Sequence, residues 1–135
     1  MGLKILLINP PYHTGVIEAS GTWLPTNLYY LAGALETRHD VSVFDAMNLF
    51  KELPDIEREI RSFKPDLVAT GTFTASHATG LSVLKLAKDI DQSIITVIGG
   101  VEATIRRFTH FDYKENILRR GILNDTKAEL LLFCN

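Results

Sequence analysis

The side chains best suited to chemistry stand in loops that directly follow short apolar runs. The first loop begins with Asn9-Pro10-Pro11-Tyr12-His13 and continues through Trp23 to Pro25, so prolines and aromatic rings occur close together. This loop is longer than the roughly two to six residues that usually connect a strand to a helix. Its composition predicts an apolar wall for a large flat ligand, and a loop packed on its own side chains is the alternative.

A second loop offers hydroxyl groups for hydrogen bonding. Thr72, Thr74 and Ser76 flank Phe73 where an apolar run gives way to a segment of helical period. The free backbone N–H groups of a helix start also point outward there, which favours polar ligand groups such as amides, ribose or phosphate. Capping of the helix by Thr74 or Ser76 is the simpler interpretation of the same hydroxyls.

Two adjacent glycines give a more specific signal. Gly99 and Gly100 directly follow another apolar run, and Val101 comes next. Because glycine has no Cβ atom, a ligand can approach the backbone here more closely than at other residue types. A simple tight turn is the alternative, and we favour the binding role.

No catalytic constellation accompanies these loops. The four histidines, His13, His39, His77 and His110, lie at no spacing typical of metal ligands. The single cysteine, Cys134, excludes an internal disulfide and an iron–sulfur cluster held by this chain alone. Because neither G-x-G-x-x-G nor a P-loop occurs, the standard dinucleotide and nucleoside-triphosphate sites also lack their key feature.

The elements that position these loops are predicted from the apolar pattern. Four short runs predict strands at Leu3–Ile8, Val41–Asp45, Asp66–Gly71 and Ile94–Ile98. Segments of helical period separate them at Thr26–Arg38, Leu49–Phe63 and Ser76–Ile90. This alternation predicts an α/β fold with a doubly wound parallel sheet. Since the carboxyl ends of such strands form a ligand crevice, we expect the loops to meet at one edge, with His39 at the other.

Two side chains at the ends of these elements have a predicted local role. Asp45 closes the second strand at the crevice edge, where it can bind a ligand group or cap the following segment. Thr26 is predicted to cap the first helix, because threonine is a favourable residue at that position.

The sequence after Gly100 is less regular. Glu102–Phe108 and Tyr113–Arg120 are interpreted as helical, Gly121 as a helix stop and Leu130–Phe133 as a fifth strand. We therefore expect one domain over residues 1–135, regular over 1–104 and irregular or truncated over 105–135.

The composition limits the classes of function. With 135 residues, of which 22% are charged, the chain has the composition of a globular domain. Its formal net charge of −2 gives no positive electrostatic potential that would attract phosphate groups. We therefore predict no nucleic-acid partner. No signal peptide or membrane-spanning run is recognisable, and together with the single cysteine this predicts a cytoplasmic location.

Several short motifs, taken in order, resemble one known family. They are Asn9-Pro10-Pro11, Trp23-Leu24-Pro25-Thr26-Asn27-Leu28, Leu31-Ala32-Gly33-Ala34-Leu35, Pro65-Asp66-Leu67-Val68 and Ile98-Gly99-Gly100. Over residues 3–104, about three quarters of the chain, the sequence resembles the N-terminal cobalamin-binding (B12-binding) domain of class B radical S-adenosylmethionine (SAM) proteins. That group includes methyltransferases and the anaerobic Mg-protoporphyrin monomethyl ester cyclase.

The resemblance implies a flavodoxin-like, Rossmann-like sheet with strand order 2-1-3-4-5 and a corrin ring over the strand ends. By position, Asn9-Pro10-Pro11 would lie under the ring, and Thr72 and Thr74 would line a channel for the dimethylbenzimidazole tail. Gly99-Gly100 would let that tail pass close to the backbone. The candidate cofactor-binding residues are therefore Asn9, Pro10, Pro11, Tyr12, Trp23, Thr72, Phe73, Thr74, Ser76, Gly99, Gly100 and Val101.

The sequence departs from the family pattern in two respects, because it lacks the Pro-His-Ala-Thr sequence after Gly100 and the C-x-x-x-C-x-x-C cluster motif. It also lacks the Asp-x-His-x-x-Gly motif with which classical cobalamin-binding domains supply a lower cobalt ligand, a motif that radical SAM relatives usually lack too. We therefore predict a module that is not catalytic alone and holds cobalamin without a protein histidine ligand. The metal ion predicted for this module is the cobalt of the cofactor. A radical SAM catalytic domain, in cis or in trans, would be its partner.

Two other functions remain open. A degenerate domain without cofactor would act as an interaction module, in which an exposed Leu130–Phe133 edge supports a homodimer. A flavodoxin-like protein would bind FMN or another nucleotide through Thr72, Thr74 and Ser76. The third function is less favoured, because prolines in the first loop remove backbone donors that a phosphate site needs.

Overall fold

The computed structural model describes residues 2–13, 23–112 and 115–132, and its centre is a five-stranded parallel sheet. The strands of this sheet are β1 (Lys4–Asn9), β2 (Asp40–Asp45), β3 (Leu67–Gly71), β4 (Ile95–Gly99) and β7 (Leu130–Leu131), in the order β2-β1-β3-β4-β7. The predicted α/β class and the order 2-1-3-4-5 are confirmed, with β7 as the fifth strand of the sheet. The near-continuous apolar runs form strands because helices cover both faces of the sheet.

Five α-helices connect the strands in the described part of the chain. They are α1 (Thr26–Leu35), α2 (Leu53–Phe63), α3 (His77–Ile90), α4 (Val101–Ile105) and α5 (Ile122–Thr126), and a 3₁₀ turn at Thr74–Ser76 precedes α3. None of the described helices is long and apolar enough to cross a bilayer.

The helices cover the two faces of the sheet unequally. On the multi-helix face, which we define by Leu6, Ile8, Val68 and Ile98, the strands pack against buried residues of α2, α3, α4 and α5. On the single-helix face, which we define by Ile5, Leu7, Ala69 and Val97, they pack against α1. The alternation of side chains along each strand separates these two clusters.

One predicted helix cap and one predicted helix start differ from the structure. α1 begins after Pro25 with no side-chain cap, so the predicted cap by Thr26 is wrong. α2 begins at Leu53, four residues later than predicted, because Phe50 has a positive φ of 50° that interrupts helical geometry. The side chain of Asp55 accepts the backbone N–H of Glu52 at 3.0 Å, which fixes the start of α2 and lowers the pKa of Asp55.

The segment after α4 contains a hairpin where a helix is predicted. β5 (His110–Asp112) and β6 (Ile117–Arg119) pair antiparallel, so the helical interpretation of Tyr113–Arg120 is wrong for its described residues. Asn116 takes a φ of 54°, which turns the chain, and the Asp112 carboxylate accepts a hydrogen bond from Arg119 Nε at 2.7 Å across the hairpin. Gly121 lies at the start of α5 and does not stop a helix, and Glu102–Phe108 is helical only as far as Ile105.

A buried arginine ties this last segment to the rest of the fold. Arg106 is 5% exposed, and its guanidinium contacts Asp125, the backbone oxygen of Arg120 and Nε2 of His77 at 2.9 Å. His77 opens α3 and Asp125 lies in α5. The segment that the sequence suggested to be irregular is therefore anchored to the main sheet through α3.

Strand β7 is short and is held by a side chain that precedes it. The carboxylate of Glu129 accepts the backbone N–H of Thr96 at 2.7 Å and its hydroxyl at 2.6 Å, and it lies 2.5 Å from Lys88 Nζ. Burial by itself raises the pKa of Glu129, but the hydrogen bonds from Lys88 and Thr96 outweigh it and lower the pKa to about 2. Glu129 thus fixes the register of β7 beside β4.

Candidate functional site

A groove of about 740 Å³ lies at the carboxyl edge of the sheet, where the predicted loops meet. It is formed by the ends of β1 and β3, the start of α1, and the turns after β2, β3 and β4. Its lining residues are Asn9, Trp23, Leu24, Pro25, Asn27, Leu28, Met47, Gly71, Thr72, Phe73, Gly100 and Val101. This volume and position are typical of a ligand site in an open parallel sheet.

The rim of the groove is apolar and exposed. Trp23 is 87% exposed, and Leu24, Phe73 and Val101 are also exposed. The ring of Tyr12 contacts Phe73 edge-on, with ring centroids 5.5 Å apart and planes at 84°. Large apolar side chains at the mouth of a concave site are suited to contact with the face of a flat ligand.

The polar part of the groove is organised around one buried carboxylate. Asp45, 6% exposed at the end of β2, accepts a hydrogen bond from Asn9 Nδ2 at 2.8 Å. It also accepts the backbone N–H of Asn48 at 3.1 Å and Asn48 Nδ2 at 2.5 Å. Asn48 Nδ2 donates to the carbonyl oxygen of Trp23 at 3.0 Å as well, so the carboxylate is linked to the rim.

The predicted hydroxyl groups serve mainly the protein itself. The Thr72 side chain is buried, its methyl group lies where a Cβ at Gly80 of α3 would stand, and its hydroxyl is 3.5 Å from the carbonyl oxygen of Gly99. Ser76 Oγ is within hydrogen-bond distance of the backbone N–H and oxygen of Phe73. Thr72 therefore lines the groove next to Phe73 with its hydroxyl turned to the protein, and Ser76 stabilises the turn; the side chain of Thr74 lies outside the described part.

The two glycines have different surroundings. Gly100 lines the groove with a φ of 95°, and a Cβ there would meet the backbone oxygen of Thr72 and stand 2.8 Å from its nitrogen. Gly99 does not line the groove, and a Cβ there would be 3.4 Å from Cβ of Leu132. The close approach that requires glycine at position 100 is therefore made by the protein's own backbone.

The first two prolines and the histidine of the first loop do not line the groove. Pro10 and Pro11 are buried and are not among the residues that line the groove. His13 stacks on Phe50 with ring centroids 5.6 Å apart, and its Nε2 lies 3.9 Å from the Glu52 carboxylate. This loop thus contributes Asn9 to the groove floor and, beyond residues 14–22, Trp23, Leu24 and Pro25 to its lining.

The described histidines lie outside the groove. His39 Nδ1 accepts the backbone N–H of Leu3 at 3.1 Å, which confirms its place at the amino edge. His77 contacts Arg106, and the side chain of His110 is outside the described part. Among the residues that the structure describes, no group of three or more His, Cys, Asp or Glu side chains is placed to hold a metal ion.

Half of the lining residues are absent from the candidate binding residues, although Pro25 stands in the loop predicted as an apolar wall. Leu24, Pro25, Asn27 and Leu28 belong to a motif that carried the family resemblance, Gly71 ends β3, and Met47 stands in the turn after β2. Their position at the carboxyl edge was a usable signal, because each lies in a segment predicted to border that edge. Asn27 is the more informative omission, since it adds a second amide to the groove beside Asn9.

Comparison with known proteins finds similarity to radical SAM proteins. Residues 78–135 match the family described as Radical SAM N-terminal. The chain is 34% identical over 104 residues to an anaerobic magnesium-protoporphyrin IX monomethyl ester cyclase of Rubrivivax gelatinosus, covering 76% of this chain and 19% of the relative. It is 33% identical over 103 residues to an uncharacterized methyltransferase of Pyrococcus horikoshii, covering 76% of this chain and 22% of that protein.

A solved structure with a similar fold is a cobalamin-binding protein from Desulfitobacterium hafniense DCB-2. It superposes with a TM-score of 0.56 at 13% identity, over 98% of this chain and 52% of that chain. The chain therefore spans about a fifth of the length of the curated relatives and about half of that solved chain. The predicted resemblance to N-terminal domains of radical SAM proteins is confirmed.

Proposed function

Because the chain resembles the N-terminal domains of radical SAM proteins in sequence, we propose that it is a cobalamin-binding module of a radical SAM-type protein. The observation that carries the proposal is the groove at the carboxyl edge, which combines an apolar rim with two asparagine side chains. The family match at residues 78–135 and the fold shared with a cobalamin-binding protein support the same assignment.

The chemistry of the groove fits this cofactor. Cobalamin has a flat corrin whose faces are apolar and whose edge carries primary amides, so it needs apolar contact together with amide partners. Trp23, Phe73 and Val101 supply apolar surface, and Asn9 and Asn27 supply amides. Because cobalamin is larger than a drug-sized ligand, a groove of about 740 Å³ would hold only part of it.

The residues of this chain would bind and orient the cofactor without a histidine ligand. Asn9 and Asn27 would hydrogen-bond polar groups, and Trp23 and Phe73 would exclude water from one face of the ring. The cobalt of bound cobalamin supplies methyl-transfer or electron-transfer chemistry. Cofactor contacts from every candidate residue stay predictions, including those from Tyr12, Pro10, Pro11, Ser76 and Gly99, which do not line the groove, and that from Thr74.

The same proposal makes the chain non-catalytic by itself. With one cysteine it cannot hold a four-cysteine iron–sulfur cluster, and radical generation would fall to a catalytic domain in cis or in trans. The chain spans about a fifth of the curated relatives, so their activities concern much longer proteins. Its substrate would be set by that partner domain.

Titration with hydroxocobalamin tests the proposal. Purified protein should co-elute with the cofactor in gel filtration and shift its visible spectrum, whereas FMN added at the same concentration should not bind. Absence of both co-elution and spectral shift would refute cobalamin binding. Tight binding of FMN would instead favour the flavodoxin-like alternative.

A pair of matched variants locates the site. Val101 and Ile105 are both exposed on α4, but only Val101 lines the groove. Val101→Glu should weaken binding by roughly tenfold or more, because it buries a charge against the cofactor. Ile105→Glu should leave the affinity unchanged, and equal effects of the two changes would place the cofactor elsewhere.

An interaction module is the second candidate, favoured by the surface around β7. Leu130 of the edge strand β7 and Leu132, which directly follows it, are each 52% exposed, so this edge offers apolar surface and unpaired backbone groups to a second chain. Light scattering of the full chain tests it. A dimer that Leu132→Lys converts to a monomer would support this function, and a monomer at all concentrations would argue against it.

A further inference from the structure

The buried carboxylate of Asp45 has a consequence for the groove that goes beyond holding a loop. It lies at the end of β2, and its described partners are three N–H groups of Asn9 and Asn48. No described lysine, arginine or histidine pairs with it. Because an ionised carboxylate can only accept hydrogen bonds, Asp45 dictates the orientation of any amide beside it.

That constraint determines which end of the Asn9 amide faces the ligand. Asn9 Nδ2 donates to Asp45 Oδ1 at 2.8 Å, so the oxygen of the same planar amide must point away from the carboxylate. Asn9 lines the groove, and within the described residues no group donates to its Oδ1. The reversed amide would set two acceptors against each other and leave Nδ2 without its partner.

We propose that Asp45 is a positioning residue that fixes the floor of the groove as a hydrogen-bond acceptor, so that the site selects ligands carrying an N–H donor. A primary amide meets this requirement, whereas a carboxylate at the same place meets Asn9 Oδ1 without a proton to donate. The proposal rests on the proposed function and names the part of cobalamin that the floor recognises, an amide of the corrin edge.

The same carboxylate couples the floor to the rim. Asn48 Nδ2 bridges Asp45 Oδ2 and the carbonyl oxygen of Trp23, at 2.5 and 3.0 Å. Loss of the Asp45 charge therefore changes two features at once, the orientation of the Asn9 amide and the support of the Trp23 backbone. Only the first of these changes the preference between chemically different ligands.

A set of cobalamin derivatives separates these effects. In each derivative one propionamide of hydroxocobalamin is hydrolysed to a carboxylate. The wild-type protein should bind at least one of them roughly tenfold more weakly than hydroxocobalamin, which is the usual cost of about 1.4 kcal/mol for one mismatched hydrogen bond. Asp45→Asn frees Asn9 to turn its NH₂ group to the ligand, so this preference should disappear or reverse.

The control is Asp40→Asn, an exposed carboxylate at the other end of β2, which should keep the wild-type preference. The inference would be overturned if Asp45→Asn kept the preference for hydroxocobalamin over the carboxylate derivative. It would also be overturned if the wild-type protein did not discriminate among the derivatives. A variant with uniformly weaker binding of every derivative would show a merely structural role.

Should Asp45→Asn not fold, Asn9→Ser replaces it, because a hydroxyl both donates and accepts and should abolish discrimination.

The inference is also tested if the proposed function fails. When wild-type protein binds no hydroxocobalamin, the side-chain NH₂ resonances of Asn9 in the NMR spectrum still report its partner. They should be protected from solvent exchange in the wild-type protein and lose that protection in Asp45→Asn, while those of Asn27 stay unchanged. An unprotected Asn9 amide in the wild-type protein would contradict the orientation proposed here.

Discussion

The two faces of the sheet are built from the same strands but have different helix cover. On the multi-helix face, Leu6, Ile8 and Ile98 are fully buried beneath four helices. On the single-helix face, α1 packs against β1 and β2, while Ile95 of β4 and Leu130 of β7 are exposed. The groove adjoins the second face, since Asn9, Leu28 and Gly71 belong to that side. One face thus carries most of the core, and the other leaves room for a ligand.

Truncation of a core side chain should give the largest difference in unfolding free energy between the two faces. Leu84→Ala on the multi-helix face should lower the free energy of unfolding by about 3–5 kcal/mol, because Leu84 is fully buried and its cavity cannot collapse. Leu28→Ala on the single-helix face should cost only about 2 kcal/mol, since solvent reaches the site through the groove. Urea unfolding followed by circular dichroism measures both, and equal losses would remove the distinction.

Glycine substitutions test the boundary between groove and core. Gly100→Ala should destabilise the fold by about 2–3 kcal/mol, because it combines a positive φ with a contact of the new Cβ to the Thr72 backbone. The control is Gly33 in α1, where a Cβ meets nothing within 4 Å. Gly33→Ala should stabilise by up to about 1 kcal/mol, and thermal unfolding compares the two. A neutral Gly100→Ala would show that the turn adapts.

Acid should weaken the β7 edge through Glu129. Its pKa is lowered to about 2 in the folded chain, so its contribution to stability is present above the unfolded value of 4.5 and is lost as pH falls from 4.5 towards 2. The side chain is 41% exposed, which limits this contribution to about 1 kcal/mol. Wild-type protein and Glu129→Gln should therefore differ in unfolding free energy at pH 7 and converge near pH 2. A constant difference across that range would contradict this assignment.

The smallest effect is expected on the exposed part of the single-helix face. Leu132→Lys should change the free energy of unfolding by no more than about 0.5 kcal/mol in a monomer, because Leu132 is 52% exposed. Val97→Lys, on the same face but 4% exposed, serves as the contrast and should be strongly destabilising. A large loss from Leu132→Lys would show that another chain covers this surface in solution.

The strands could be predicted because each contains a short run rich in apolar residues, and one residue of error at either end leaves the sheet unchanged. Their order was implied by the family resemblance. Helix starts were less predictable, since the start of α2 depends on the positive φ of Phe50 and on the contact of Asp55 with Glu52. The β5–β6 hairpin could not be predicted from the sequence. Its turn depends on Asn116, and its cross-strand contact joins Asp112 to Arg119.

The location of the site could be predicted from topology, but the direction of its side chains could not. Sequence places Thr72 after a buried strand, yet no periodicity continues past the strand end to show that its methyl group faces α3 and its hydroxyl faces Gly99. Asp45 was identified as a residue of the edge with two possible roles, and its contacts with Asn9 and Asn48 favour the local one. That local role shapes the groove through its neighbours.

Strand β7 also bears on the order in which the chain can fold. β4 is complete at Gly99, but its partner Leu130–Leu131 comes some thirty residues later, after the hairpin and α5. During synthesis at about 5–20 residues per second, the apolar edge of β4 therefore waits for seconds without a partner. An unpaired edge of that kind is a template for another chain. Slow translation or weak anchoring by Arg106 should thus appear as aggregation of nascent protein even where the finished fold is stable.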